Sequence, residues 1–287
     1  MRLARFSHEG RDHTGALLGD EVADLGDADP IGLLARGSDA IRAAAQAAPR
    51  RLALAQVRLR APIPRPPKLL AIGLNYADHC TEAGMPEPDF PVFFNKQTTC
   101  VTGPGDPIHV PRVSTLVDYE AELAIVIGRR CRHVPAARAG EVIAGYMAIN
   151  DVTVRDWQLR APTMTLGKSF DTHGPTGPWV VTADEIPDPQ DLRLRAWVNG
   201  VCMQDASTSG MIFDCAAQIE TLSTAFTLEP GDVIATGTPA GVGMLRRPPV
   251  WLAPGDTVTI RVDGIGAIEN PVIAEPDDTQ CIQEPPR

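Results

Sequence analysis

The sequence predicts a β-rich α+β protein. Three observations carry that expectation. Beyond residue 68 the apolar residues fall in short runs of strand length bounded by turn residues. Only one segment of that stretch shows a clear helical period. The 25 glycines and 27 prolines are spread along the chain, as turns between short strands require.

In chain order, MRLARF and GALLGDEVADLG read as short strands joined by a turn at His13–Gly15. Asp39 is placed to cap a helix through the alanine-rich IRAAAQAA. Pro62, Pro64, Pro66 and Pro67 stiffen APIPRPPK into an extended linker. The boundary is set there, between a small N-terminal α/β domain with its linker (residues 1–66) and a larger second domain (residues 67–275). LLAIGLN, PVFFNK, ELAIVIG and VIAGYMAIN follow as strands. LRLRAWVNGVCMQDAS reads as a hairpin turning at Asn199–Gly200, residue types that accept positive φ. DVIATGT is another strand, and TVTIRVDGIGAIENPV a hairpin around Asp263–Gly264. The helix is SGMIFDCAAQIETLSTAF, with Ile212, Ala216, Ile219 and Leu222 at helical spacing. The polar tail, residues 276–287, is expected to fray.

Composition excludes several function classes. With 287 residues, 44% of them apolar, the chain can bury one large core, with or without a small satellite. A net charge of −10 repels the phosphates of nucleic acid and rules out a polybasic membrane anchor. The N-terminus lacks the apolar stretch of a secretory signal, and no apolar run approaches the roughly 20 residues of a membrane span. A cytoplasmic protein is expected. Cys80, Cys100, Cys131, Cys202, Cys215 and Cys281 form no CxxC pair and are expected to be reduced thiols packed as small hydrophobes. Gly167–Lys168–Ser169 ends like a phosphate loop, but Pro162 stands where that loop needs glycine. With no HExxH, GxSxG or paired-cysteine motif, a serine or cysteine nucleophile has no support.

The chemistry concentrates in acidic residues. In Asp118–Leu123, Glu120 and Glu122 are two apart and project from one face of a strand, while Leu123, Ile125 and Ile127 point to the other. Such a pair is either a solvated acidic face or half of a cation site. Asp151, which ends the apolar run VIAGYMAIN, adds a third carboxylate from a second strand; its alternative is an ordinary turn aspartate. Three such oxygens suit Mg²⁺ or Mn²⁺. His79 and Glu82, three apart, share a face of a helical turn, as a surface pair or as a carboxylate-oriented base. The GMPEPDF segment that follows has a mobile lid's glycine and proline content. Lys168 is either a snorkelling surface lysine or a holder of enolate charge. Thr236–Pro239 follows a strand, as a plain turn or as a carboxylate-binding nest. His173 and Arg155 read as structural.

GLNYADH, DYEAEL, AINDVTVRDWQ, TLGKSFDTHGPTGPW, STSGMIFD and DVIATGTPAGVG, in this order from about Lys68 to Val272, resemble the fumarylacetoacetate hydrolase family. The resemblance implies a mixed β-roll, usually a homodimer, with Glu120, Glu122 and Asp151 binding Mg²⁺ (or Mn²⁺ or Ca²⁺). It implies a water-activating His79–Glu82 dyad on a closing lid. Lys168 and Gln158 would stabilise an enolate, and Thr238 would bind the substrate carboxylate. Gly237, Asn75 and Tyr76 are further substrate-side candidates, and Arg155 would orient the network. Where some family members carry a basic residue, this chain has Leu74.

The leading expectation is hydrolysis of a C–C bond in a small 2,4-dioxo acid, an acylpyruvate or a fumarylacetoacetate-like compound. The alternatives are an isomerase or decarboxylase of a 2-hydroxy-dienoate or oxo-dicarboxylate, and a non-catalytic metal-binding protein on the same scaffold.

Overall fold

The computed structural model describes residues 1–277 and 279. The chain is a mixed α+β molecule built on a twelve-stranded sheet and a five-stranded sheet. In the large sheet, Arg50–Ala53, Glu21–Asp24, Arg11–Leu18 and Arg2–His8 lead into Gly174–Thr182. Ile143–Asn150, Ala121–Ile127, Val233–Ala235, Leu69–Gly73 and Val92–Lys96 complete the path. The smaller sheet runs Val201–Ser207, Arg193–Val198, Thr257–Val262, Gly266–Ala274 and Ile108–Val110. Both sheets are mixed: Val233–Ala235 pairs parallel with Leu69–Gly73, and Gly266–Ala274 parallel with Ile108–Val110.

Ala121–Ile127 lies in the middle of the large sheet and is buried along its whole length. That explains its unbroken apolar run, since a strand covered on both faces has no solvent side to mark. Its alternation still sorts the faces. Leu123, Ile125 and Ile127 join the core shared with the five-stranded sheet, while Ala124 and Val126 join the core beneath the N-terminal helices.

Three local expectations are corrected. The first hairpin turns at Glu9–Gly10, both at positive φ, and His13–Gly15 lie inside the strand Arg11–Leu18. The helix Ser38–Ala47 is capped by Gly37 without a side-chain bond, so Asp39 sits in its first turn instead of capping it. The long helix begins at Cys215, where the Asp214 side chain accepts from the Ala217 N–H. Ile212 therefore lies ahead of the helix. The two other hairpins turn where expected, with Asn199 and Gly200 at positive φ and Gly264 likewise. Cys80, Cys100, Cys131, Cys202 and Cys215 are free thiols, while Cys281 and most of the polar tail lie outside the described residues. Among the described residues no helix is long and apolar enough to cross a membrane.

One break in the ladder positions the site. Ala121 pairs with Asn150 in the large sheet, and Asp118 pairs with Thr153 in a separate two-stranded ladder. Between these registers the two chains part around Glu120 and Asp151. The Asp151 N–H donates to the Glu120 carbonyl at 2.9 Å and the Glu120 N–H to Asn150 Oδ1 at 3.0 Å across the gap.

Candidate active site

Glu120, Glu122 and Asp151 are buried, and one carboxylate oxygen from each lies within 4.8 Å of the others. Three cations face this cluster. Lys168 Nζ bridges Glu120 Oε2 at 2.6 Å and Asp151 Oδ2 at 2.8 Å. Lys96 Nζ lies 2.6 Å from Asp151 Oδ1 and also donates to the Lys168 carbonyl. Arg155 Nη1 lies 2.8 Å from Glu120 Oε1, and its Nη2 lies 2.7 Å from Asp118 Oδ2.

Burial alone would raise the pKa of Asp151, but Lys168 and Lys96 outweigh it and hold the group below its ordinary value. Burial likewise works to lower the Lys168 pKa, and Asp151 and Glu120 more than reverse it. Glu122 differs. Burial and then Asp151 and Glu120 push its pKa well above the ordinary carboxylate value. Its one strong donor is the Gly237 N–H at 2.7 Å, and among the described residues it forms no ion pair. A buried carboxylate facing two others without its own counter-charge is the side chain a divalent cation would satisfy.

His79 stands on the wall of the same cavity, with Glu82 behind it. His79 and Glu82 lie on the helix Ala77–Ala83, with His79 Nδ1 3.3 Å from Glu82 Oε2. Both Glu82 oxygens accept from the Gly241 N–H at 3.0 Å. The cavity holds about 500 Å³, and Glu120, Glu122, His79, Lys168, Arg155 and Gln158 reach it. Two of its lining residues, Leu74 and Met164, hold positive φ without being glycine, so the backbone is strained at the cavity wall.

The fumarylacetoacetate (FAA) hydrolase C-terminal family model matches residues 68–273. The chain belongs to the fumarylacetoacetate hydrolase family. The Rv2993c-like N-terminal model matches residues 1–62. A mitochondrial oxaloacetate tautomerase fahd2 of Xenopus laevis is 46% identical over 224 residues, 77% of this chain and 70% of that protein. The 5-carboxymethyl-2-hydroxymuconate delta-isomerase of Mycobacterium smegmatis is 39% identical, with a TM-score of 0.80 over 96% of this chain and all of that one. A maleylpyruvate hydrolase from Sphingobium sp. SYK-6, solved with manganese(II) and pyruvate, is 36% identical. Its TM-score is 0.79, over 96% of this chain and 99% of that one. Hydrolase, isomerase and tautomerase names thus all occur among the similar family members.

Several residues of this family member stand elsewhere than the sequence suggested. The nest after the Val233–Ala235 strand does bind carboxylates, but they are the protein's own. The Gly237 N–H holds Glu122, the Gly241 N–H holds Glu82, and the Gly243 and Met244 N–H groups hold Asp118 at 2.7 and 3.0 Å. Gly237 therefore has no N–H left for substrate. Thr238 lines the cavity, yet its hydroxyl donates to the Ala121 carbonyl and accepts from Gln204. Asn75 is fully buried and bonds both to the backbone of Phe213 and to the Thr236 carbonyl, so it fixes a loop. Tyr76 is buried outside the cavity wall, and burial followed by Glu122 raises its phenol above the ordinary range. Gln158 accepts from Arg155 Nη1 at 3.0 Å. His173 is buried, donates from Nε2 to the His109 carbonyl at 2.7 Å, and is pushed down by burial to about 3.

Sequence reasoning missed Lys96, Asp118 and the glycine N–H groups. One signal for Lys96 was available. It alternates with Phe94 in PVFFNK, and both are buried. Asp118 opens DYEAEL with nothing to set it apart from an ordinary turn aspartate, and backbone donors leave no mark in a sequence.

Proposed function

We propose that the protein is a divalent-metal-dependent hydrolase of the C–C bond in a small 2,4-dioxo acid of the acylpyruvate type, releasing a pyruvate-like product. The observation that carries this reading is His79, held by Glu82, on the wall of the cavity that Glu120 and Glu122 of the acidic triad also line. Hydrolysis needs a deprotonated water, and an imidazole oriented by a carboxylate is a fitting base.

The donor set fits a hard cation: three carboxylates, one of them uncompensated. Each carboxylate oxygen carries two lone pairs, so the bonds from Lys168, Lys96 and Arg155 leave acceptor capacity on Glu120 and Asp151. Mg²⁺ or Mn²⁺, held by Glu120, Glu122 and Asp151, supplies Lewis acidity and a template for the 2-oxo carboxylate end when bound. The manganese and pyruvate in the similar Sphingobium hydrolase support this choice.

The chain's own residues do the rest. His79 takes the water proton, and Glu82 steadies the imidazolium that forms. Glu82 is itself held in place by Gly241. The hydroxide adds to the distal carbonyl, and the C–C bond breaks toward the pyruvyl side. The Lys168 ammonium, fixed by two carboxylates, faces the negative charge that develops on the leaving enolate. A proton returned from His79 to the enolate carbon completes the pyruvate-like product, and the carboxylic acid formed from the acyl half loses its proton to solvent.

Acetylpyruvate with Mg²⁺ should give acetate and pyruvate, and a chelator should stop the reaction. His79→Ala should lower kcat by about 10²–10⁴. Hydrolysis that persists in that variant would overturn the assignment. A second reading, tautomerisation, is favoured by the similarity to the oxaloacetate tautomerase. It predicts accelerated keto–enol exchange of oxaloacetate with acetylpyruvate left intact.

A further inference from the structure

The cavity has two unlike ends. Apart from Arg160 and His79, its charged groups gather at the triad. The remaining wall is apolar: Ile72 and Leu74 at the end of one strand, Val92 and Phe94 on its neighbour, and Val242 and Leu245 from the loop beyond Gly241. At the mouth, Met85 is 50% exposed and Leu159 is 74% exposed, so apolar surface continues outward from the cavity into solvent.

Every buried cation at the cavity is already engaged. Arg155 is held by Asp118 and Glu120, and Lys168 by Glu120 and Asp151. His79 is tied to Glu82. Among the described residues that line the cavity, the cation left is Arg160, whose side chain is half exposed and stacks over the Trp157 ring at 4.0 Å, with Asp156 3.9 Å away. A second carboxylate on the substrate's far arm would therefore lose its hydration with no buried counter-charge to replace it, and that is strongly unfavourable. An alkyl or aryl arm would instead remove apolar wall from water.

We infer that the far arm of the substrate is an uncharged, apolar acyl chain and not a carboxylate-terminated one. The site then discriminates monocarboxylic acylpyruvates from the dicarboxylic compounds of the fumaryl and maleyl type. This rests on the proposed reading that the polar end takes a 2-oxo carboxylate.

The test measures binding, so it does not depend on turnover. With the Mn²⁺-loaded protein, calorimetric titration would compare 2-oxobutanoate, 2-oxohexanoate and 2-oxooctanoate with 2-oxoglutarate and 2-oxoadipate. Affinity should rise roughly threefold to fourfold per methylene along the alkyl series. Each diacid should bind at least about tenfold more weakly than the alkyl acid of similar length. Val92→Lys, on the last strand of the large sheet's path, should narrow that gap by placing a cation in the apolar wall. A flat alkyl series, diacids that bind as well or better, or no binding of any 2-oxo acid would overturn the inference. Failure to cleave acylpyruvates while the alkyl trend holds would sink the hydrolase reading alone.

Discussion

At the scale of the residue, Glu122 decides what the triad is for. Glu120 and Asp151 each touch two cationic side chains, but Glu122 has a backbone N–H and two facing carboxylates. An ordinary structural cluster would have placed a lysine or arginine against it. Glu122→Gln keeps the volume and the acceptor for Gly237 while removing the repulsion. The metal-free variant should therefore melt a few degrees above the parent, since about 1 kcal/mol corresponds to roughly 2–4 °C in a chain of this size class. The parent should gain about 2.7 kcal/mol from Mn²⁺ at a hundred times its Kd, and the variant should lose most of that gain. Thermal denaturation with and without Mn²⁺ reads both effects. A variant that melts lower without metal and keeps the Mn²⁺ shift would show that Glu122 has a structural role only.

At the scale of the element, the loop after Val233–Ala235 organises the site through its backbone. Between Gly237 and Met244 its N–H groups reach Glu122, Glu82 and Asp118, which belong to three different parts of the chemistry. Gly241 holds φ at 105°, and a Cβ there would lie 2.3 Å from the Met203 carbonyl oxygen. Gly241→Ala must shift the loop and with it the N–H that steadies Glu82. Its kcat on acetylpyruvate should fall roughly tenfold to a hundredfold, about 1.4 to 2.7 kcal/mol, with KM little changed. A KM rise at constant kcat would place the loop in substrate binding instead. This element also shows what a sequence conceals. Glu120 and Glu122 were legible because a strand has period two, and Asp151 because it closes an apolar run. The sequence TGTPAGVG announces a nest but not its ligands, because which carboxylate an N–H meets is set by chain segments more than a hundred residues away. Lys96 was hidden for a related reason. A lysine at a strand end reads as solvated until the fold places Asp151 beside it.

At the scale of the whole molecule, the sequence suggests a small unit followed by a linker, while the hydrogen bonds run across that boundary. Arg2–His8 pairs with Gly174–Thr182, so one sheet is continuous from residues 1–62 into residues 68–273. The core repeats the pattern. Leu3, Leu33, Leu34 and Ile41 share a buried cluster with Ala124, Val126 and Met147, and Ala124 and Val126 sit on the strand that carries Glu122. The helix Pro30–Arg36 packs against Ile143–Asn150, the strand that leads into Asp151. Composition cannot reveal such pairing, because Arg2 and Val181 meet only once the intervening sheet is built. Shared burial predicts shared unfolding. Trp157, Trp179, Trp197 and Trp251 all lie beyond residue 68, so tryptophan fluorescence reports chiefly the larger part, with Trp179 alone of the four stacked under Arg2 across the boundary, whereas far-ultraviolet circular dichroism reports both parts. Leu34→Ala should cost about 2–5 kcal/mol through lost packing and a residual cavity. Because Leu34 belongs to the common cluster, the loss should appear equally in both signals, as one cooperative transition moved down by several degrees. An early dichroism phase with an unmoved tryptophan transition would mean that the N-terminal part unfolds by itself. Its packing against the active-site strands would then contribute nothing to holding the triad.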